Sequence, residues 1–405
     1  MLLAIAWKNI WRNKTRSLVV ITAVMLGLWA GAFILAYVFG MINQRLEDAI
    51  GNEISHLQLH HEEFYKDYAP KFYLVNGEKV LEGLDSHPRV KASTGRVLTY
   101  GMVGSAANST GGKFIGIDPT REDQVTQLST KLTGGEYLQR SDKNKILIGK
   151  KLADKLKVKL RSKIVLTFQD INGDIVAGAF RIKGIFRSYN TALEENNLYA
   201  LDQDLSRLLN AQHQVHEIAV LLQDEEQVDE YARDLSQQYP TARVESWKEI
   251  SPELGLMVES LDQYMMIFFV IILLALSFGI VNTMLMAVLE RVREIGMLMA
   301  IGMNKVRLFG MIAFETIFMV LIGTPLGLLL AYLTIYWFGM NGLDLSGLYQ
   351  EGYAAYGFKS IIYPQLDAMY YYRIMLLVGI TALLASIYPA ITALRLDPVK
   401  AIRKI

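Results

Sequence analysis

The sequence predicts an α-helical membrane protein with four transmembrane helices and a mixed α/β extracytoplasmic domain between the first two. Three observations carry that class. Leu18 to Gly40 and Tyr264 to Leu289 hold no charge, Leu308 to Met340 holds one acid, Glu315, and Tyr372 to Leu394 holds one base, Arg373. A helix crosses a bilayer with about 20 apolar residues, so all four runs are long enough. Residues 43–262, by contrast, mix 27 bases with 33 acids and alternate like strands, the pattern of a folded soluble domain. Finally, Lys and Arg gather on one side of the spans, which sets their direction.

Composition agrees. Of 405 residues, 52% are hydrophobic and 20% charged, respectively above and below the soluble norm. The chain has no cysteine, which excludes a disulfide framework and thiol chemistry. No nucleic-acid partner is expected.

The elements follow in order. In residues 1–17, Ala4, Trp7, Ile10 and Trp11 recur at helical spacing among Lys8, Arg12 and Lys14. Such a strip suits an interfacial helix with its tryptophans at headgroup level. The first span, 18–42, is too long for a signal peptide and lacks a small-residue cleavage site after it, so it is expected to be retained. In the 43–262 domain, "HLQLH" (56–60), "KFIGID" (113–118) and "VHEIAVLL" (215–222) read as strands. "KIVLTFQDINGDIVAGAFRIKGIF" (163–186) places Asn172-Gly173 between two alternating runs, a hairpin signal. "ILIGKKLADKLKV" (146–158) reads as a strand leading into a helix, and Glu225 to Tyr239 as a helix. Charged helices are expected to extend the spans near 44–52 and 252–263. Residues 263–405 carry the remaining spans, at about 264–289, 308–340 and 372–394.

The positive-inside rule orients them. Residues 1–17, the 290–307 loop and the tail hold twelve bases (Lys8, Arg12, Lys14, Arg16, Arg291, Arg293, Lys305, Arg307, Arg395, Lys400, Arg403, Lys404) against Glu290, Glu294 and Asp397. The 341–371 loop has only Lys359 against Asp344, Glu351 and Asp367. Both termini and the 290–307 loop are therefore expected in the cytoplasm, with residues 43–262 and the 341–371 loop outside.

Catalytic chemistry has little support. A phosphate loop needs G-x-x-x-x-G-K-[ST], but in "GSAANSTGGKF" (104–114) an Ala and a Phe occupy required positions. His56, His60, His61, His213 and His216 lack a zinc-ligand pattern and read as surface residues. No catalytic residue, metal site or cofactor of this chain's own is expected. Two polar residues within spans invite attention. Glu315 reads as paired, or as a link to the 290–307 strip, ahead of a proton relay. Asn282 reads as a helix–helix hydrogen bond. Near the outer ends of the first two spans stand Phe33, Tyr37, Phe39, Met257, Met265, Met266, Phe268 and Phe269. Lipid contact is the plain reading, and an adaptable wall for an acyl chain or apolar peptide is the alternative.

The strip "ERVREIGMLMAIGMNKVR" (290–307) is amphipathic. Val292, Ile295, Met299 and Met303 form one stripe, Glu290 and Arg293 stand at pairing distance, and Gly296 and Gly302 leave room for another backbone.

The C-terminal third resembles the FtsX-like permease domain. In "LERVREIGMLMAIGMNKVRLFGMIAFE" (289–315) the family's Glu290, Arg293, Glu294, Ile295, Gly296, Ala300, Ile301, Gly302 and Glu315 are in place. "GTPLGLLLAY" (323–332) and "SIYPAITALRLDPVKAIRK" (386–404) match its third span and its ending, and "AWKNIWRNKTRSLVVITAVMLG" (6–27) its leading segment. One span, a large outer domain and three further spans is the order of MacB-type (type VII) ABC transporter permeases. Within them, "ISHLQLHHEEF" (54–64) and "ILIGKKLADKLKVKLRSKIVLTF" (146–168) resemble the lipoprotein-releasing permeases LolC and LolE. The resemblance implies a MacB-like periplasmic core and a partner ATPase, two copies, carrying ATP and Mg. It implies a second permease, identical or homologous, a lipoprotein or lipid substrate, and a periplasmic chaperone or adaptor. Residues 290–305 would be the coupling helix, with Glu290, Arg293, Glu294, Gly296, Ala300, Gly302 and Lys305 at the ATPase. ATP-driven motion would reach the periplasm by mechanotransmission and release lipoproteins toward the outer membrane. Export of peptides or small apolar compounds through an adaptor is the alternative, and FtsX-like signalling to a cell-wall hydrolase a third reading.

Overall fold

The computed structural model describes residues 2–12, 14–188, 190–347, 352 and 357–395. Asp397, Pro398, Lys400, Arg403 and Lys404 lie outside them. The chain divides into two compact units, residues 42–259 with 345–360 and residues 1–41 with 260–344 and 361–405. Helices α1 (Leu2–Arg12) and α2 (Lys14–Ala49) come first, and a π-helical turn, Ile50–Ile54, follows α2.

The unit at 42–259 is mixed α and β. Its chain runs β1 (Leu57–His60), α3 (Phe64–Asp67), α4 (Gly77–Asp85), β2 (Val90–Gly104), β3 (Ser109–Ile117), α5 (Pro119–Thr126), β4 (Leu132–Gly135), β5 (Lys145–Gly149) and α6 (Lys150–Lys155). It continues through β6 (Lys163–Gln169), β7 (Ile175–Phe186), α7 (Thr191–Asn196), β8 (Asn197–Leu201), α8 (Asp202–Leu209), β9 (Glu217–Leu222), α9 (Val228–Gln238), β10 (Arg243–Ser246), α10 (Trp247–Ile250) and α11 (Pro252–Glu259). Two subdomains result. Strands β10-β1-β9-β2 pair antiparallel in that order, and with α4 and α9 they make a split βαβ arrangement of the ferredoxin type. Leu57, Leu59, Ile218, Val220, Val80, Leu84, Tyr231 and Leu235 form its core. Between β2 and β9 the chain inserts a barrel. The pairings β2-β3, β3-β8, β8-β5, β5-β7, β7-β6 and β6-β2 close a six-stranded ring. Phe114, Ile146, Ile148, Leu166, Phe180 and Leu198 fill it.

Strand β2 belongs to both subdomains. Residues Val90 to Arg96 pair with β9, and Gly101 to Gly104 with β6. Arg96 stands at the change-over and is buried. Its Nη1 donates to Glu217 Oε1 at 2.7 Å, its Nε to Glu122 Oε2 at 3.0 Å and its Nη2 to Glu122 Oε1 at 2.8 Å. Tyr65 donates to Glu217 Oε2 at 2.9 Å. Burial opposes the charge on Glu217, but Lys113 and Arg96 overcome it and hold the carboxyl down to about 2. Buried charges persist only when partnered in this way.

The histidines depart from the surface reading. His56, His60 and His216 are buried, and only His213 of the inspected five is largely exposed. Alternation in β1 does separate two faces, but the Gln58 and His60 face is buried as well. His60 Nε2 lies 3.0 Å from Glu245, and His216 Nε2 donates to the Pro70 carbonyl at 2.8 Å. A sheet covered on both sides accepts polar side chains whose hydrogen bonds are met inside.

The other unit is helical. After α12 (Leu261–Glu290) come α13 (Val292–Ala300), α14 (Lys305–Asn341) and α15 (Ala368–Leu394), with β11 (Leu343–Asp344) paired to β12 (Ile361–Ile362) between the last two. Among the described residues four helices are long and apolar enough to cross a membrane, within Ser17–Ile54, Pro252–Glu290, Lys305–Asn341 and Ala368–Leu394. Two small-residue motifs, the second already quoted as a match to the family's third span, pack α2 between its neighbours. Gly27 and Gly31 face α12, where an added Cβ would come within 2.8 Å of Leu276 and 2.7 Å of Ile272. Gly323 and Gly327 of α14 face α2, where a Cβ would lie 3.0 Å from the Ile21 carbonyl and 2.7 Å from that of Met25. Such G-x-x-x-G pairs let helix backbones approach in an apolar medium, where packing rather than water drives association. Helix α15 packs on both α12 and α14.

Acid should weaken the α/β unit. His216 is buried and neutral, and burial lowers its pKa from 6.5 to about 4. Its contribution is complete above pH 6.5 and lost as pH falls toward 4. Glu217 acts with the same sign, from 4.5 down to about 2. The melting temperature of the purified protein should therefore fall from pH 7.5 to 4.5, and His216→Gln should flatten that slope. An unchanged slope in the variant would refute the assignment.

Candidate functional site

The 290–307 strip builds the site. Helix α12 stops at Glu290 because Arg291 leaves helical geometry, with φ −105° and ψ 18°. Helix α13 then spans Val292–Ala300 rather than 290–305, and Lys305 already opens α14. The shortening has a local cause. Gly302 sits at φ +95°, the Gly302 N–H donates to Met299 O at 3.1 Å, and the Met303 N–H to Leu298 O at 3.0 Å. This is a Schellman motif, which ends a helix and favours glycine at the left-handed position. Asn304 restarts the chain by accepting the Val306 N–H at 3.2 Å. Gly302 thus serves backbone geometry, and a Cβ there would meet open space rather than a neighbouring backbone.

The stripe of Val292, Ile295, Met299 and Met303 faces inward. Ile295 and Gly296 are buried and the other three stripe residues are half-buried. The outward face carries Arg293, Glu294 and Ala300 beside Met297, 54% exposed, and Ile301, 79% exposed. Lys305 and Glu290 are also exposed. A one-turn-deep helix offering apolar and charged groups together is suited to covering by another protein.

Polar contacts fix α13 in place. Arg12 of α1 pairs with Glu294, both about half-exposed. Arg291 Nη1 lies 3.2 Å from Glu315 Oε1 and 3.4 Å from Oε2, and the two side chains are only 10% and 4% exposed. Arg291 Nη2 also donates to the Asn9 carbonyl at 3.4 Å. One guanidinium therefore joins α1, the α12–α13 break and α14. The link expected of Glu315 is present, and its partner comes from the strip itself, not from another span. A base at a span's end, a few turns from an acid inside the next span, was the available signal.

The remaining candidates separate. Met257 packs in the core of the α/β unit. Met265 is 2% exposed, inside the helical unit, while Met266 is 69% exposed and Phe268 40%. Phe269 and Tyr37 are half-buried. Phe33 stacks edge-on with Phe338 at 5.7 Å, and Phe39 with Tyr370 at 4.8 Å. The expected aromatic wall is thus split, its first-span members spent on packing against α14 and α15. Asn282 is exposed on α12 and has no hydrogen bond to another helix among the described residues. Its apolar neighbours Phe278 and Met286 are exposed on the same helix. Among the described residues no three His, Cys, Asp or Glu side chains gather to hold a metal ion.

Comparison with known proteins agrees with this layout. Residues 17–238, more than half of the chain, match the MacB-like periplasmic core domain family, and residues 266–398 match the FtsX-like permease C-terminal family. The chain belongs to the MacB-type ABC transporter permeases. It is 24% identical to the lipoprotein-releasing system transmembrane protein LolC of Haemophilus influenzae over 81% of each chain. It is 32% identical to the macrolide export ATP-binding/permease protein MacB of a Shewanella species over 33% of this chain and 18% of that one. The periplasmic region of MacB from Actinobacillus actinomycetemcomitans aligns at TM-score 0.36 and 14% identity, over 52% of this chain and 98% of that one. In this MacB-type permease, α13 falls inside the FtsX-like match.

The Arg291–Glu315 pair should behave as a coupled unit. Removing one partner of a buried pair costs about 3–5 kcal/mol, and replacing both with apolar groups is often close to neutral. Glu315→Met should therefore destabilise the purified permease strongly, and Arg291→Met with Glu315→Met should recover most of the loss in thermal melts. Additive losses in the double variant would count against the pair.

Proposed function

We propose that this permease works with a separate ABC ATPase to release lipoproteins from the bacterial inner membrane toward the outer membrane. The observation that carries the substrate class is the likeness to a lipoprotein-releasing LolC protein along 81% of both chains. The pairwise match to a Shewanella MacB exporter spans 135 residues, 33% of this chain. In this reading the basic end bearing α1 and α13 faces the cytoplasm and the α/β unit the periplasm, a direction that the Lys and Arg distribution supports.

Helix α13 is the dock for the ATPase. Its outward residues Arg293, Glu294, Met297, Ala300 and Ile301 enter a groove of that subunit, while Glu290 and Lys305 flank it. Closure of two ATPase copies on Mg-ATP pushes α13, and the Arg291 node passes the displacement to α1 and α14. A second permease, identical or homologous, covers the exposed face of α12, where Asn282 would find its hydrogen bond. Acyl chains of the substrate would lie along that face before release.

Each acyl CH₂ moved into water costs about 0.8 kcal/mol, so a whole anchor costs tens of kcal/mol. Release therefore needs a periplasmic chaperone with an apolar pocket. A soluble peptide would need only an adaptor, which is the exporter alternative.

Two measurements test the proposal. The permease purified with its ATPase should carry acylated proteins identifiable by mass spectrometry. Their absence, together with ATPase stimulation by a soluble peptide, would favour the exporter. Glu294→Lys removes the Arg12 pair, and Gly302→Trp forces a side chain into the left-handed region at about 1–2 kcal/mol. Both variants should reach the membrane yet hydrolyse ATP without releasing substrate. Wild-type release in both would remove α13 from the coupling role.

A further inference from the structure

The chain enters the α/β unit from α2 through the π-helical turn Ile50–Ile54, and Ser55 and His56 join that turn to β1. Ser55 lies at φ 64° and ψ −179°. Four other residues with positive φ, Tyr68, Asn76, Gln127 and Asn210, flank helices at ψ 25°, 34°, 36° and 31°, the ordinary left-handed well. Ser55 instead occupies a region that glycine alone enters without strain. The residue is fully buried, and its hydroxyl has no hydrogen-bond partner among the described residues. Nothing its side chain does therefore offsets the strained backbone.

The surroundings hold Ser55 in this conformation. Upstream, its N–H donates to the Ile50 carbonyl at 3.0 Å, an i→i−5 bond that closes a π turn rather than an α turn. Gln58 Nε2 donates to the Ile54 carbonyl at 2.9 Å. Downstream, the His56 N–H donates to the Val220 carbonyl at 3.1 Å and the Trp247 N–H to the His56 carbonyl at 3.0 Å, so the start of β1 is fixed on both flanks. The turn itself is clamped through one side chain. Glu53 accepts Arg45 Nη1 at 3.3 Å, Arg45 Nη2 at 3.4 Å and Asn190 Nδ2 at 2.8 Å. The Arg45 and Glu53 side chains are only 9% and 13% exposed. Gly357 backs Arg45 so closely that a Cβ there would lie 2.7 Å from its Nε. Lys359 Nζ holds Asp48, in the last turn of α2, at 2.8 Å.

Strained non-glycine residues and single π turns both gather where a structure moves. We propose that the α2–β1 junction is a strained catch. Arg45 and Asn190 hold Glu53, and Glu53 holds the π turn. When that hold is lost, Ser55 leaves positive φ and the bonds of the turn pass from i→i+5 to i→i+4. The end of α2 then shifts against β1 by up to one residue's rise, about 1.5 Å. The catch stands on the geometry of the α/β unit alone, and its use in transport rests on the ATP-driven motion proposed above.

The test uses the full-length permease without ATPase, by thermal melts and by hydrogen–deuterium exchange at residues 50–57. Ser55→Ala removes the hydroxyl and keeps the Cβ, while Ser55→Gly removes both, so their difference reads the backbone strain. Ser55→Gly should melt about 2–4 °C above Ser55→Ala, despite the freedom glycine gives the unfolded chain. Loss of a charged hydrogen bond corresponds to about tenfold in an opening equilibrium, so Glu53→Gln should speed exchange at 50–57 about tenfold. Asn190→Asp keeps the oxygen that accepts the Ala192 N–H and repels Glu53, so it should act in the same direction and stays informative if Glu53→Gln does not fold. Adding Ser55→Gly to either variant should bring exchange back toward the wild type, because no strain is left to drive the opening. A clamp without a strained residue behind it would show no such rescue, since glycine by itself loosens a chain. Melting of Ser55→Gly at or below Ser55→Ala, wild-type exchange in both clamp variants, or faster exchange that Ser55→Gly does not reverse would each overturn the proposal. Because the ATPase is absent from these measurements, their failure leaves the docking role of α13 intact, and loss of that role leaves the strain result standing.

Discussion

A guanidinium held out of water at the end of a span constrains everything around it. Arg291 cannot be left without Glu315, because the desolvated charge of either would then stand alone. The pair therefore fixes the break between α12 and α13 against α14, and the Asn9 carbonyl draws in α1 as well. Deeper in the apolar part the helices are held differently. There Gly323 and Gly327 of α14 sit against the α2 backbone and Gly27 and Gly31 of α2 receive the Leu276 and Ile272 side chains, and contact at close range does what charge does at the end. The helical unit thus has a polar node at one level and a tightly packed middle.

The α/β unit reaches a similar solution by other means. Arg96 lies between Glu122 and Glu217 where β2 leaves one sheet for the other, and each carboxylate has a further hydrogen-bond donor. All three nitrogens of that guanidinium are engaged. A closed network suits a junction that must keep its register.

Much of this was legible in the sequence, for stated reasons. Long apolar runs mark spans because no soluble element needs them, and the Asn172-Gly173 turn marks the β6–β7 hairpin because few other residue pairs permit it. Other features depend on contacts between distant residues. Nothing local says that β6 pairs with β2 and closes a barrel, or that His60 lies against Glu245, 185 residues away. The 15-residue β2 went unread because its apolar and polar residues follow two different burial patterns along its length. At the strip, periodicity located a helix and its apolar stripe but could not say which way the stripe faces. The same residues pack on the spans, and the exposed Met297 and Ile301 carry the apolar surface instead. The "GTPLG" spacing entered only as part of a family match and "GLWAG" was not read as a packing motif, since glycine in a span looks like an absence of signal.

Strand β2 has a mechanical consequence. One uninterrupted backbone runs through the split βαβ subdomain and the barrel, paired with β9 up to Arg96 and with β3 from Arg96 on, and laddered on both sides at Arg96 and from Gly101 to Gly104. The change-over falls on one residue, Arg96, whose side chain is tied to Glu122 and Glu217. Twisting one subdomain against the other would pull on those buried ion pairs, so the joint between them is clamped by charge and not left to turn as a loose linker would.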